Sequence, residues 1–185
     1  MGRPKNFSRE EVLEKAMPLF WKRGYADTGL QDLEKATGVN KSGLYSEFKN
    51  KEDLFLEALE HYTKTRKGRG LLTQEPFGWN NIEAFLTFKA ERKDGIKGCF
   101  AVNSMRDVDL LPARAQTQMS DSRARLKEKF HRNIAAEKTD LSAEALTELV
   151  VTFFSGLCIE QNLKSEKTDL QSRKVEDFMR IIRSL

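Results

Sequence analysis

Apolar residues recur along most of the chain at intervals of three and four residues, which is the period of an α-helix that buries one face. In the first such segment the spacing joins Val12, Leu13, Ala16, Met17 and Phe20. Strict alternation of apolar and polar residues, which would indicate strands, is nearly absent. The pattern therefore predicts an all-α protein of about nine helices.

Helix starts near the amino terminus are marked by residues that cap exposed backbone amides. Ser8 with Glu11, and Thr28 with Gln31, have the spacing of a capping box, in which each side chain accepts a hydrogen bond from the other residue's backbone N–H. Glycine ends helices because it adopts unusual backbone conformations without strain. The first helix is therefore expected to stop near Gly24.

A very short helix follows the next glycine. The second helix is expected to stop at Gly38, and Asn40 can cap a third helix that runs from Lys41 to about Phe48. Asn50, with an acidic residue three positions later, can cap a fourth. The amino-terminal part is therefore predicted to form helix, turn, helix, tight turn, helix and helix.

The rest of the chain is also predicted to be helical. The glycine-containing stretch at 67–70 is the best internal break, so the predicted domains are residues 1–66 and 67–185. Helical periodicity continues in five further segments. These segments lie near residues 80–91, 100–108, 112–136, 142–163 and 175–182.

The tight turn and the helices on either side of it have the form of a helix-turn-helix at about residues 29–48. Its second helix has the size that enters the major groove of DNA, and Lys41 and Ser42 lie at the end that meets base edges. Gly43 lacks a side chain, so the backbone there could approach DNA closely. The hydroxyl of Tyr45 can donate to a phosphate.

Two residues outside the short helix are also predicted to bind phosphate. Lys51 begins the next helix, where its ammonium and the helix dipole could act on one phosphate, and Thr28 starts the supporting helix. The formal net charge of +4 and the pI near 9.0 permit an anionic partner. Arg3, Lys5 and Arg9 give the first nine residues a charge of +3.

A purely structural helical hairpin is the alternative interpretation of this stretch. In that case Leu44, Tyr45 and Phe48 are core residues and the lysines are solvated. Leu44 and Phe48, four residues apart, share a stripe that is expected to be buried, whereas Tyr45 lies one residue off it. A helical protein-interaction module without DNA binding would differ in its salt response, because DNA affinity falls steeply as salt rises.

The order of these features from Thr28 to Leu54 resembles the DNA-binding domain of TetR/AcrR-type bacterial transcriptional regulators. The matching positions are Thr28, Gly38, Val39, Lys41, Gly43, Leu44, Tyr45, Phe48 and 51–54. The resemblance implies an all-α homodimer that binds a palindromic operator through an amino-terminal three-helix domain. The residues assigned to DNA binding are Arg3, Thr28, Lys41, Ser42, Gly43, Leu44, Tyr45 and Lys51.

The resemblance also implies a carboxy-terminal helical domain that holds a ligand pocket and the dimer interface. The two last helices carry more apolar surface than pairing within one chain should hide, so a four-helix interface between two copies is expected. The residues assigned to it are Phe153, Phe154, Leu157, Val175, Phe178 and Ile182.

The predicted effector pocket is mostly aromatic. Its residues are His61, Tyr62, Trp79, Phe85, Phe88, Phe100, Met119 and Phe130. Such a wall favours an apolar or aromatic small molecule over a phosphorylated metabolite. The implied function is a ligand-responsive regulator, expected to be a repressor, whose partners are operator DNA, a second copy of the chain and this effector.

Other chemistries are less well supported by the residue pattern. Cys99 and His131 could form a nucleophile and base, but no third orienting residue is evident, so we predict that the protein is not an enzyme. Cys99 as a thiol sensor of oxidants or electrophiles is the alternative regulatory mechanism. Cys158, on the most apolar helix, is expected to be buried.

Metal, cofactor and membrane association are not expected from the sequence. Two histidines, and two cysteines outside CxxC spacing, predict neither a metal site nor a bound cofactor. There is no apolar run long enough to cross a bilayer and no secretory signal at the start of the chain, so we predict a cytoplasmic protein.

Overall fold

The computed structural model describes residues 7–65, 68–90, 97–163 and 168–185. Within these ranges the secondary structure is helical and contains no strand, which confirms the predicted all-α fold. The ten α-helices are α1 Arg9–Arg23, α2 Leu30–Thr37, α3 Lys41–Glu47, α4 Lys51–Thr65, α5 Gly68–Leu71, α6 Trp79–Ala90, α7 Phe100–Ser104, α8 Ala113–Ile134, α9 Ala143–Glu160 and α10 Thr168–Ile182. Helix α5 is a single turn, which leaves nine longer helices in the described part of the chain.

The predicted cap of α1 is confirmed. The Ser8 hydroxyl accepts from the backbone N–H of Glu11 at 3.1 Å, and the Glu11 carboxylate accepts from the N–H of Ser8 at 2.7 Å. Hydrogen bonds from the backbone N–H and the side chain of Ser8 to the carboxylate lower the pKa of Glu11, because they favour its ionised form. Ser142 caps α9 in the same way, by accepting from the N–H of Ala145 at 3.2 Å.

The predicted cap of α2 is wrong by one residue. Gly29, not Thr28, is the N-cap, and its N–H donates to the carboxylate of Asp32 at 3.1 Å. The Thr28 side chain is fully buried, and its hydroxyl donates to the carbonyl of Gly24 at 2.7 Å. A hydroxyl committed in this way cannot bind a phosphate, so Thr28 supports the loop between α1 and α2 rather than contacting DNA.

The helix predicted for residues 100–108 is also different from the one observed. Helix α7 ends at Ser104, and a 3₁₀ segment, Met105–Leu110, follows it. Asp107 lies outside helical geometry at φ −111° and ψ 27°, which interrupts the α-helical hydrogen-bond pattern. Helix α8 then starts directly after Pro112, consistent with the tolerance for proline at a helix start.

The chain divides into two compact units. One comprises residues 1–65 and 103–119, and the other comprises 66–102 and 120–185. The proposed domain boundary at residue 66 stays a prediction, since residues 103–119 group with the amino-terminal segment.

The core of the first unit is an aromatic cluster between α1 and α4. The ring centroids of Phe20 and Phe55 are 5.2 Å apart with the rings nearly perpendicular, and Tyr25 packs on Phe55 at 5.1 Å. Trp21 and Tyr62 form a second edge-on pair at 4.9 Å. Edge-to-face pairs of this kind stabilise beyond the area they bury, and this cluster holds α1 on α4.

The second unit has its own aromatic core and one buried polar centre. Phe85 packs against Phe130 and Phe154, with ring centroids 5.4 Å from each. The fully buried amide of Asn133 donates to the carbonyl of Leu72 at 2.9 Å and accepts from the N–H of Gly78 at 3.1 Å. Asn133 therefore joins α8 to the connection between α5 and α6.

No described helix is both long enough and apolar enough to cross a membrane.

Candidate nucleic-acid interface

The turn between α2 and α3 has helix-turn-helix geometry. Gly38 lies in the left-handed region, at φ 74° and ψ 12°, and its N–H donates to the carbonyl of Glu34 at 2.9 Å. A side chain would be strained at this φ, which explains glycine here. Val39 is buried, and Asn40 accepts from the N–H of Gly43 at 2.8 Å, so α3 begins at the predicted cap.

One side of α3 is core. Leu44 and Phe48 are each 1% exposed, which confirms that the stripe they share is buried. Leu44 was assigned to DNA binding on the resemblance, and its burial contradicts that assignment. Its buried side chain packs α3 against the rest of the first unit.

The other side of α3 is exposed and polar. Lys41, Ser42, Tyr45 and Ser46 lie on it, and Lys49 continues it just beyond the helix end. The Tyr45 ring is 40% exposed, with the Lys41 ammonium 6.0 Å from its centroid. Sequence reasoning missed Ser46 and Lys49, although their four-residue spacing from Ser42 and Tyr45 indicates the same face. We call this set of five residues the recognition face.

Gly43 is explained by packing inside the chain rather than by close approach to DNA. A Cβ at this position would lie 2.6 Å from a methyl group of Val39 and 3.4 Å from the ring of Phe7. A contact of 2.6 Å is not tolerated between carbon atoms. A side chain at position 43 would therefore force Val39 to move, and the assignment of Gly43 as a DNA contact has no support from this geometry.

Two backbone amides at the start of α3 are engaged within the protein. The N–H of Lys41 donates to the carboxylate of Glu34, and the N–H of Gly43 donates to Asn40. Phosphate binding by free amides at a helix start is therefore restricted here. The side chains of the recognition face are the groups that can bind DNA.

Arg9 holds the far end of α3. Its guanidinium donates to both carboxylate oxygens of Glu57 on α4 and to the backbone carbonyl of Glu47, and it lies 4.3 Å from the ring centroid of Phe48. The hydrogen bond to Glu57 raises the pKa of Arg9. The Glu47 carboxylate lies 3.6 Å from the Arg9 guanidinium, so the protein itself partly balances this negative charge at the end of α3. Arg9 is thus part of α1 and not of a free basic arm.

Replacing Arg9 by methionine is expected to lower the free energy of unfolding by about 1–2 kcal/mol. A hydrogen bond between charged groups contributes more than this when it is buried, but the Arg9 side chain is 41% exposed and solvent weakens the interaction. Arg23→Met is the matched control, since Arg23 forms a surface ion pair with Asp32 and should change stability by about 0–1 kcal/mol. Urea unfolding measures both variants, and equal effects would contradict the bridging role of Arg9.

Lys51 is used inside the protein. Its ammonium donates to the carbonyls of Tyr25 at 3.0 Å and Thr28 at 3.1 Å and lies 4.3 Å from the ring centroid of Tyr25. Burial lowers the pKa of Lys51, because the charged form loses hydration. Two of its three N–H donors are thus used inside the protein, which disfavours the predicted phosphate contact without testing it. The residue ties the loop between α1 and α2 to the start of α4.

Two lysines close in sequence should respond differently to substitution. Lys51→Met is expected to lower the free energy of unfolding by about 1–2 kcal/mol without changing the salt dependence of DNA affinity. Lys49→Met should leave stability unchanged and reduce the slope of log affinity against log salt by about one for each phosphate that Lys49 neutralises. Titrations at four salt concentrations distinguish the two roles, and a reduced slope in Lys51→Met would contradict this assignment.

The predicted pocket residues do not form one described cluster. His61, Tyr62 and Met119 belong to the first unit and the other five to the second. Phe85 and Phe130 are in contact, whereas Phe88 is 38% exposed. A groove of about 320 Å³ in the first unit is lined mainly by charged residues and includes only His61 of the eight. The shared aromatic pocket therefore stays a prediction.

Most of the predicted interface residues are buried within the single chain. Phe154, Leu157, Val175 and Ile182 are each at most 3% exposed. Phe154 packs on Phe85 in the core, so these four side chains have almost no surface left for a partner. Phe153 and Phe178 are half-buried and stack on each other at 3.9 Å.

Two further assignments concern the cysteines and Arg3. Cys99 and Cys158 are both buried, which confirms the expectation for Cys158 and restricts access to the Cys99 thiol. Arg3 lies outside the described residues.

Comparison with known proteins identifies the amino-terminal segment. Residues 12–58 match the family model of the bacterial regulatory proteins of the tetR family. The HTH-type transcriptional repressor ComR of Escherichia coli is 38% identical over 109 residues, which is 56% of this chain and 52% of ComR. The chain thus matches only about half the length of that relative. The HTH-type regulator YezE of Bacillus subtilis is 27% identical over 92% of this chain and 97% of its own.

The same likeness extends to solved structures and to the whole chain. A cysteine mutant of the TetR family transcriptional regulator CifR, complexed with 26bp double-strand operator DNA, superposes with a TM-score of 0.81 at 26% identity. The match covers 96% of this chain and 98% of that one. All three of these relatives are named as regulators or repressors of transcription. Residues 12–58 thus match the tetR family of bacterial regulatory proteins, and the chain as a whole is similar in fold to a TetR family transcriptional regulator.

Proposed function

We propose that the protein is a ligand-responsive repressor that binds a palindromic operator as a homodimer. The observation that carries this proposal is the two-sided character of α3. Buried Leu44 and Phe48 fix the helix, and the recognition face presents lysines, hydroxyls and an exposed tyrosine ring. These are the groups that bind phosphates and base edges in a major groove.

A dimer is required because one short helix reads few base pairs. Two copies related by a twofold axis read two half-sites, whose centres are then about one helical turn of DNA apart or slightly more. The names of ComR and of the CifR complex support a repressor that acts on an operator. Since such DNA is chromosomal, we place the protein in the cytoplasm.

The exposed apolar residues of α9 and α10 indicate a revised dimer interface. Leu149 and Ile159 on α9 are 45% and 59% exposed, and Leu170 and Ile181 on α10 are 46% and 60% exposed. Eleven residues are close to three helical turns, so Leu170 and Ile181 lie on one side of α10, and Leu149 and Ile159 lie about 80° apart around α9. The stacked rings of Phe153 and Phe178 join the two helices. We call this surface the α9–α10 face and propose it as the twofold contact.

The proposed effector binds in the second unit among its aromatic residues. Both polar atoms of the Gln171 side chain are buried and have no hydrogen-bond partner among the described residues. A buried amide without a hydrogen-bond partner destabilises a protein. A ligand that supplied the missing partner would recover the lost stability. Gln171 is therefore our candidate polar contact for a mostly apolar effector.

Substitutions of two glutamines, Gln171 and Gln161, are expected to have opposite effects on stability and so test whether the Gln171 amide is unpaired. Gln171→Met, which keeps the shape and removes the unpaired amide, is expected to raise the free energy of unfolding by about 1–2 kcal/mol. Gln161→Met should lower it by a similar amount, because Gln161 accepts from the N–H of Gly98 at 3.1 Å and donates to the carbonyl of Lys89 at 2.6 Å. Thermal unfolding measures both, and a destabilised Gln171→Met would contradict the unpaired amide.

A screen of small apolar and electrophilic compounds tests the regulatory proposal. Binding is detected as a thermal shift, and each hit is then added to a complex with DNA. The proposal expects that some non-reactive hits lower DNA affinity, because an effector acts through its different affinity for two states. If only thiol-reactive compounds release DNA, and Cys99→Ser abolishes release, the thiol-sensor alternative replaces the pocket.

A further inference from the structure

Three potential metal ligands converge on the outer side of α1 and α4. Glu10 and Glu14 lie one turn apart on α1, and His61 lies on α4. One ligand atom from each, two carboxylate oxygens and an imidazole nitrogen, lie within 4.8 Å of one another. The sequence did not predict this cluster, because His61 is some fifty residues away from the two acids.

The two carboxylates differ from the other acidic residues around them. Glu11 accepts a cap hydrogen bond, Glu57 is paired with Arg9, and Glu60 is paired with Lys64. Across the ranges that the structure describes, Glu10 and Glu14 have no such ion pair or hydrogen bond. Like charges four residues apart on a helix repel each other. A cation between them would remove that repulsion.

The spacing of the cluster suits a small divalent ion. Zinc bonds to carboxylate oxygen and imidazole nitrogen are about 2.0–2.2 Å, which places tetrahedral ligand atoms roughly 3.5 Å apart. The ligand atoms already lie within 4.8 Å of one another, and both glutamates are exposed, so their side chains can rotate to shorten these distances. Mixed carboxylate and imidazole ligands favour a transition-metal ion over calcium or magnesium, which take oxygen ligands almost alone.

We propose that Glu10, Glu14 and His61 form a site for a divalent transition-metal ion of the zinc class. Three protein ligands leave the fourth position to water, as in open zinc sites. The ion links α1 to α4, and α1 also carries Arg9, which holds the end of α3. The site goes beyond the proposed function, since it requires neither the effector pocket nor operator binding.

The test titrates the full-length protein with Zn²⁺ alone, using isothermal calorimetry and competition with a chromophoric chelator. The wild type is expected to bind one ion per chain with an affinity of about 100 μM or tighter. His61→Gln and Glu14→Gln should each weaken binding at least about tenfold. Circular dichroism of each variant establishes that the fold is retained. Glu10→Gln tests the third ligand by the same zinc titration.

Matched controls separate this site from the other residues that could bind zinc. His131→Gln removes the second histidine, which lies 3.3 Å from Glu144, and Glu60→Gln removes a neighbouring carboxylate of α4. Both should bind as the wild type does. Absence of Zn²⁺ binding by the wild type, undiminished binding by His61→Gln, or loss of binding in His131→Gln or Cys99→Ser would overturn the proposal.

Discussion

Replacing Lys41 and Tyr45 together by alanine is expected to weaken DNA binding by roughly a thousandfold while leaving thermal stability unchanged. Both side chains are exposed on the recognition face and do not contribute to the core. A direct contact to DNA contributes about 1–3 kcal/mol. In a homodimer each contact occurs twice, so two substitutions remove at least about 4 kcal/mol, which corresponds to that factor.

Fluorescence anisotropy of a labelled operator at fixed salt measures this effect. Lys138→Ala is the control, because Lys138 is an exposed lysine of the second unit and should leave the affinity unchanged. Single variants separate the two roles. Tyr45→Ala should weaken binding to all sequences, whereas Lys41→Ala should also change the preferred bases. A loss below about threefold in the double variant would contradict the assignment of the recognition face.

Introducing a charge on the α9–α10 face is expected to convert the proposed dimer to monomers. Ile181→Glu places a carboxylate where two copies would bury it without a partner, and the twofold axis introduces it twice. A buried charge that is left without a partner costs about 3–5 kcal/mol per site. The dissociation constant of the dimer should therefore rise by more than about a thousandfold. Leu149→Glu should act in the same way from α9.

Sedimentation velocity measures the association state. Leu110→Glu is the control, because Leu110 is 64% exposed but belongs to the 3₁₀ segment and not to the α9–α10 face. It should remain dimeric. A monomeric wild type, or a dimeric Ile181→Glu, would exclude this face as the contact. Monomers are also expected to bind DNA more weakly, because they hold only one half-site.

Local sequence signals predicted the helices and the turn correctly. Ser8 and Asn40 cap their helices as expected, and Gly38 takes the left-handed turn. These features depend on residues within four positions of each other, which the sequence displays directly. The register of Leu44 and Phe48 was predicted correctly for the same reason, since helical periodicity is a local property.

The errors concern residues whose function depends on distant partners. The internal partners of Lys51 could not be read from the sequence, because the carbonyls it binds lie more than twenty residues earlier in the chain. Arg9 looked like part of a basic arm, but its acceptors are on α3 and α4. A basic residue has the same appearance in a sequence whether it binds DNA or a carbonyl, so only the tertiary structure separates the two.

The interface residues illustrate a second limit of periodicity. Helices α9 and α10 are apolar on more than one side, so the sequence could not decide which stripe faces the core. Phe154 belongs to the core, where it packs on Phe85, and Ile181 belongs to the surface although Ile182 beside it is buried. A helix that buries two faces requires the packing partners to be known before its stripes can be assigned.

Selection from a random-sequence duplex DNA library with the purified wild-type protein tests the central claim most directly. Bound molecules are recovered at moderate salt and sequenced. Two copies of the recognition face on a twofold dimer predict an enriched inverted repeat whose half-site centres are about one helical turn apart or slightly more. Recovery of no enriched sequence, or of a single half-site without a symmetric partner, would contradict the account.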